Sequence, residues 1–175
     1  MTPDERNQVS QGLYAYCRGL DRFDRELALS PFAAEARLVY NGLFKGAAPQ
    51  FMDWIWPIHA RMLLHVHRVA NIFIERDPHG DLVSESYVQV LLRSADPVDG
   101  SVTDTIGDGR YIDRWVLQNG RPLIVERDYV RDAARVCPHE QSDMPTVRPD
   151  TDSAALTWAR DGSDASYRLL RARPV

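Results

Sequence analysis

Residues 63–75, LLHVHRVANIFIE, decide how the rest of this chain is read. Their β-branched and apolar content predicts a strand, and strand side chains alternate in direction. His65, His67, Val69, Asn71 and Phe73 therefore share one face, and Val66, Arg68, Ala70, Ile72 and Ile74 the other. A strand with one wet and one dry side would not group Val69 and Phe73 with the histidines. The mixed face fits either a solvent face or the lining of a pocket under a curved sheet, whose aliphatic reverse side then packs on a second surface such as a subunit.

Upstream of this strand, residues 3 to about 19 predict a helix. Thr2 can cap it, Pro3 suits its first position, and Val9, Leu13, Tyr16 and Leu20 recur at helical spacing. A short second helix is expected around DRELALSPF. A strand follows in EARLVYNGLFKG, with a tight turn at Asn41-Gly42, and then a third helix in APQFMDWIWPIHARM that Pro57 ends or kinks. Downstream, DLVSESYVQVLLRSA and SVTDTIGDGRYIDRWVLQN read as long strands, the latter turning at Asn119-Gly120 into PLIVERDYVRDAA. Helices first and antiparallel strands after them make the fold class α+β. From Cys137 the chain turns polar and proline-punctuated, with a short helical piece expected at DSAALTWA. This divides it into a body, residues 1–136, and a C-terminal extension, 137–175, that packs on the body or a neighbouring subunit.

The 175 residues fit one domain with a real core. A net charge of −4 and the absence of a Lys/Arg cluster exclude an ordinary nucleic-acid surface. Cys17 and Cys137 form no C-x-x-C pair, no apolar run reaches membrane-spanning length, and MTPDERNQVS is polar. A reduced cytoplasmic protein without leader or membrane contact is expected.

Three segments then carry a resemblance. YCRGLDRFDRE, HVHRVAN and GRYIDRWVLQNGRPLIVERDYV, in this order and on these elements, resemble the SnoaL-like branch of the nuclear transport factor 2-like superfamily, which includes scytalone dehydratase, hexachlorocyclohexane dehydrochlorinase and a diarylpropane lyase. The resemblance covers roughly residues 5 to 136. It implies a cone in which a curved antiparallel sheet wraps N-terminal helices around a pocket. It also implies Asp21 turned into the cavity, His67 as catalytic histidine with Asn71 four residues on, and Arg127 on the last hairpin. By the same likeness the concave face carries His65, His67, Asn71 and Phe73. The convex face, with Arg68, Ala70, Ile72 and Ile74 beside Val88, Val90 and Leu92, then meets a neighbour in a homo-oligomer, a trimer first and a dimer second. Tyr16 and His65 depart from the dehydrochlorinase pattern, where lysine and cysteine stand, which speaks against halide elimination.

These residue types permit acid–base chemistry. Imidazole exchanges a proton near neutral pH, and a carboxylate beside it fixes the tautomer and steadies the imidazolium. Asp21 reads either as that partner of His67 or as a helix cap, with Asp24 the other capping candidate. Arg127 reads either as a cation that stabilises departing charge or as half of a buried ion pair. Tyr16, Tyr40, Tyr111 and Tyr129 offer hydroxyls to a substrate or fill core. Trp54 and Trp56 wall the pocket mouth or fill core. His59, His65 and His67 have no convincing metal-ligand spacing, so neither metal nor cofactor is expected. The leading expectation is a cofactor-independent lyase for a small aromatic or largely apolar molecule, acting by dehydration or by retro-aldol loss of formaldehyde from a lignin-derived diarylpropane. The alternatives are a non-catalytic protein like the small subunit of ring-hydroxylating dioxygenases or a ligand-binding module, and an isomerase or epoxide hydrolase in the same fold.

Overall fold

The computed structural model describes residues 1–139 and 159–170. Helix α1 (Pro3–Asp21) begins with a reciprocal cap: Thr2 Oγ1 accepts from the Glu5 amide and the Glu5 carboxylate accepts from the Thr2 amide. Its apolar stripe, Val9, Leu13, Tyr16, Cys17 and Leu20, is buried. Helix α2 (Arg25–Leu29) is capped by Asp24, whose Oδ1 accepts from the Leu27 amide, so Asp21 is free of that task. The two helices approach so closely that a Cβ on Gly19 would lie 2.3 Å from the Ala28 nitrogen. Helix α3 (Ala48–His59) carries Pro57 in its last turn and still runs on to His59.

Six strands follow the order β1 (Phe32–Tyr40), β2 (Phe44–Ala47), β3 (Met62–Arg76), β4 (Leu82–Ala95), β5 (Val102–Gln118) and β6 (Arg121–Pro138). They form one sheet in the spatial order β2-β1-β6-β5-β4-β3, antiparallel throughout except for the parallel pair β1–β6. Gly42 and Gly120 take the positive φ that the two Asn-Gly turns demand. The helices cover one face of the sheet, and the core between them holds Leu13, Tyr16, Leu38, Met52, Leu82, Trp115 and Ile124. This is the α+β cone that the sequence predicts. No helix among the described residues is long and apolar enough to cross a membrane.

Strand β3 departs from simple alternation. Its pairing with β4 runs to Ala70, breaks, and resumes at Phe73, with Asn71 at φ 47°. This bulge inserts residues into the pleat and inverts its phase. Before it, His65, His67 and Val69 face the helices. After it, Ile74 faces inward at 5% exposure while Phe73 points out at 62%. Asn71 itself is exposed, so Asn71 and Phe73 leave the pocket face on which simple alternation puts them. The convex face needs a parallel correction. Val88, Val90 and Leu92 pair directly with Val69, His67 and His65 and so share the concave side. The convex side instead combines ion pairs, Arg93–Asp104, Arg110 with Glu85 and Asp132, and Arg114 with Asp77 and Glu126, with a different apolar set, Val66, Leu91 and Ile106 in one cross-strand row and Tyr87 and Ile112 exposed beside it.

Candidate active site

Asp21 closes α1 with its carboxylate against β3. Oδ1 accepts from His67 Nδ1 at 2.8 Å and from His65 Nδ1 at 3.0 Å, while Oδ2 accepts from the His67 amide at 2.9 Å. Period-two spacing brings both imidazoles to one carboxylate, because residues i and i+2 share a strand face. Beyond them, His65 Nε2 lies 3.3 Å from His59 Nε2 at the end of α3.

These contacts determine the tautomers. A carboxylate only accepts, so both Nδ1 atoms carry protons, and the Nε2 of a neutral His65 is bare and accepts from His59 Nε2–H. His59 Nδ1 is then bare as well, and it is buried with no hydrogen-bond partner among the described residues. Burial pushes the His59 imidazolium down to about 2, helped by the charges of His65, His67 and Arg160. Burial likewise lowers His65 to about 4, against the pull of Asp21. For Asp21, burial works against ionisation, but the hydrogen bonds from His65 and His67 outweigh it and hold the carboxyl at about 2. A fixed negative charge thus backs His67, whose Nε2 makes no hydrogen bond among the described residues.

His67 lines a cavity of about 240 Å³ together with Tyr14, Cys17, Arg18, Asp21, Arg22 and Val69. The described part of the extension is tied to two of these lining residues, Arg18 and Arg22, and to the end of α3. Arg160 donates from one terminal nitrogen to the carbonyls of His59 and Met62, both at 2.7 Å, and lies over the Phe23 ring. Arg22 Nε is 3.4 Å from Asp164, and Arg18 donates to Ser166 Oγ at 3.0 Å while lying over the Tyr167 ring. These attachments are polar. Leu169 and Leu170 are exposed. Leu156, Trp158 and all of DSAALTWA except Ala159 lie outside the described residues.

Other predicted site residues sit elsewhere. Arg127 is fully buried and grips Asp113 with two bonds of 2.7 and 2.8 Å, its guanidinium boxed by the Tyr16, Phe32 and Tyr111 rings. Asp113 stands directly opposite it in the β5–β6 register, which makes Asp113 the ion-pair partner and keeps Arg127 out of the cavity lining. Tyr16 and Tyr40 share a 2.7 Å hydroxyl hydrogen bond in the core, and Tyr111 packs edge-on to Tyr16. Tyr129 stacks on Tyr40, Trp54 on Phe44 and Trp56 on Phe23, none of them lining the cavity. His65 is 1% exposed, bonds Asp21 and does not line the cavity. The sequence reading passed over Tyr14, Arg18, Arg22 and Arg160. Tyr14, Arg18, Asp21 and Arg22 recur at i, i+4, i+7 and i+8, one helical stripe that was legible beside Asp21. Asp21, His65 and His67 also present ligand atoms within 4.8 Å of one another, a set that could hold a metal ion once both Nδ1 protons are removed.

Comparison with known proteins follows the same lines. A family profile described as a SnoaL-like domain matches residues 2–128. A search of curated proteins finds no match. Among solved structures, a scytalone dehydratase-like protein from Novosphingobium aromaticivorans superposes with a TM-score of 0.65 at 18% identity, covering 83% of this chain and 95% of that one. A type 3 hexachlorocyclohexane dehydrochlorinase from Novosphingobium barchaimii gives 0.61 at 12% identity, covering 78% and 90%. The protein Aln2 from a Streptomyces species gives 0.60 at 18% identity, covering 75% and 94%. At these identities the likeness establishes the fold.

Proposed function

This chain belongs to the SnoaL-like domain family, and from that premise we propose that it is a cofactor-independent lyase in which His67 is the general base and Asp21 its partner. One observation carries the reading: Asp21 Oδ1 takes the Nδ1 protons of both His65 and His67, which leaves Nε2 of a neutral His67 as the basic atom of a cavity-lining residue. In dehydration, Nε2 removes a proton from carbon, the C–H electrons form the double bond, and the departing hydroxyl takes a proton from the imidazolium or from the Tyr14 hydroxyl to leave as water. Asp21 stabilises the imidazolium through a charge-assisted hydrogen bond, while His65 and His59, both neutral, hold the carboxylate in place. Loss of formaldehyde uses the same base on the proton of a primary hydroxyl: the O–H electrons form the carbonyl of formaldehyde, the C–C bond breaks, and its electrons form the new double bond as the hydroxyl on the next carbon is protonated and leaves as water. The dehydratase and dehydrochlorinase of similar fold are named for eliminations, which supports this class. Positive charge in the cavity lining comes from Arg18 and Arg22, and Arg127 contributes none there.

The test is a panel of small aromatic β-hydroxy ketones and diarylpropane diols, followed by mass spectrometry. The wild-type protein is expected to release water or formaldehyde from at least one of them, and His67→Ala to release neither. Turnover retained in both His67→Ala and Asp21→Asn would overturn the assignment.

A further inference from the structure

The cavity that holds His67 is rimmed by cations. Arg18 in the last turn of α1 and Arg22, which caps its C-terminus, both line it. Arg18 touches a hydroxyl and an aromatic ring among the described residues, and neither cancels its charge. Arg22 Nε is buried and makes no hydrogen bond among the described residues; its nearest carboxylate, Asp164 at 3.4 Å, already accepts from Ala159 and Ser166, and Arg160, behind the cavity lining, has two guanidinium nitrogens equally without a partner among those residues. Buried guanidinium donors without acceptors are costly, and a planar guanidinium matches a carboxylate better than any other common acceptor. The Asp21 carboxylate does not fill this role, since its oxygens are engaged by His65 and His67. Tyr14, Cys17 and Val69 complete the lining and favour an organic body behind the charge.

We propose that the site binds a small aromatic carboxylate, its carboxylate held by Arg18 and Arg22 at the rim and its reacting carbons turned toward His67 Nε2. This names the substrate class of the lyase reading and rests on it for the reaction alone, because binding needs no turnover. It also replaces the largely apolar substrate expected from sequence with an anionic one, recognised by charge at one end and by a ring at the other.

The experiment is a titration of the full chain with benzoate, benzamide and inorganic phosphate by ligand-observed NMR. The proteins are wild type, Arg18→Gln, Arg22→Gln and Arg18→Lys, each checked for folding by circular dichroism. Benzoate is expected to bind saturably in the millimolar range, to lose about tenfold in affinity in either glutamine variant, and to recover part of that in Arg18→Lys. Benzamide is expected to bind wild type no better than benzoate binds Arg18→Gln, and phosphate to compete about tenfold less well than benzoate. The proposal is overturned if benzoate does not bind at millimolar concentration, if benzamide matches it, if both glutamine variants bind benzoate unchanged, or if phosphate competes equally. Should Arg18→Gln fail to fold, Arg22→Gln and Arg18→Lys decide. A silent substrate panel with selective benzoate binding would defeat the lyase reading while leaving this one standing.

Discussion

Asp113 and Asp21 each receive two side-chain nitrogen donors from the concave side of the same sheet, and the two arrangements differ in what the donors can do next. Asp113 meets Arg127 in a sealed, bidentate pair with both side chains at 0% exposure. Burial opposes both charges: Asp113 more than restores that of Arg127, while Asp113 itself stays above its ordinary carboxylate value, so the pair stands only as long as each keeps the other. Asp21 remains 15% exposed and meets two imidazoles, one sealed at 1% and one facing a cavity. An arginine cannot release its proton in a protein, whereas a histidine exchanges one readily. One carboxylate therefore secures structure and the other is placed to drive chemistry.

The contrast can be broken most directly at Asp21. Asp21→Asn is expected to cut turnover by about 100- to 10,000-fold, the usual worth of general base catalysis, while costing only about 1–2 kcal/mol in urea denaturation. Asp113→Asn should do the reverse, losing about 3–5 kcal/mol by stranding the buried guanidinium, with turnover per folded molecule largely kept. If Asp21→Asn unfolds as easily as Asp113→Asn, the division of labour fails.

Acidity sharpens the comparison. His65 and His59 have folded values depressed from 6.5 to about 4 and about 2, so below pH 6.5 the unfolded chain takes up protons that the folded chain refuses. Stability is then present above that pH and falls as pH drops, by about 1.4 kcal/mol per unit for each histidine. Asp21, held at about 2, adds a loss only as pH falls from its ordinary value near 3.8 toward 2. Chemical denaturation between pH 7 and 4 should show this slope in wild type and in a folded Asp113 variant, and a shallower one in His65→Gln. The smallest effect belongs to Tyr40→Phe, which removes the hydroxyl bond to Tyr16 in the core and should cost about 1 kcal/mol in thermal unfolding with turnover unchanged.

Much of this was legible in the chain. Thr2, Pro3 and Glu5 announce α1, Asn41-Gly42 and Asn119-Gly120 announce their hairpins, and the spacing of His65 and His67 puts two imidazoles on one face. Spacing alone leaves Asp21 open between a helix cap and a partner of His67; the family resemblance points to the partner, and in the structure Asp24 takes the cap while Asp21 receives both imidazoles. What stayed hidden depends on register. Period two extended through Asn71 gives the wrong side for Phe73 and Ile74, because no residue type in HVHRVANIFIE compels a bulge at that point. The partner of Arg127 follows from which residue of β5 stands opposite it, a cross-strand fact that neither strand shows alone. His59 and Arg160 join the site from α3 and from near the far end of the described chain, distances over which local periodicity carries no information.

The bulge at Asn71 has a meaning for anyone who would redesign this protein. It acts as a joint in the longest-reaching element of the site, separating a segment that presents histidines to a cavity from one that anchors Ile74 in the core. Because the pleat is re-phased at the joint, the upstream half can be treated as an exchangeable cassette. Its inward positions 65, 67 and 69 can be varied for new chemistry without disturbing the alternation that seats the downstream half, provided Asn71, or a glycine in its stead, keeps the left-handed backbone there.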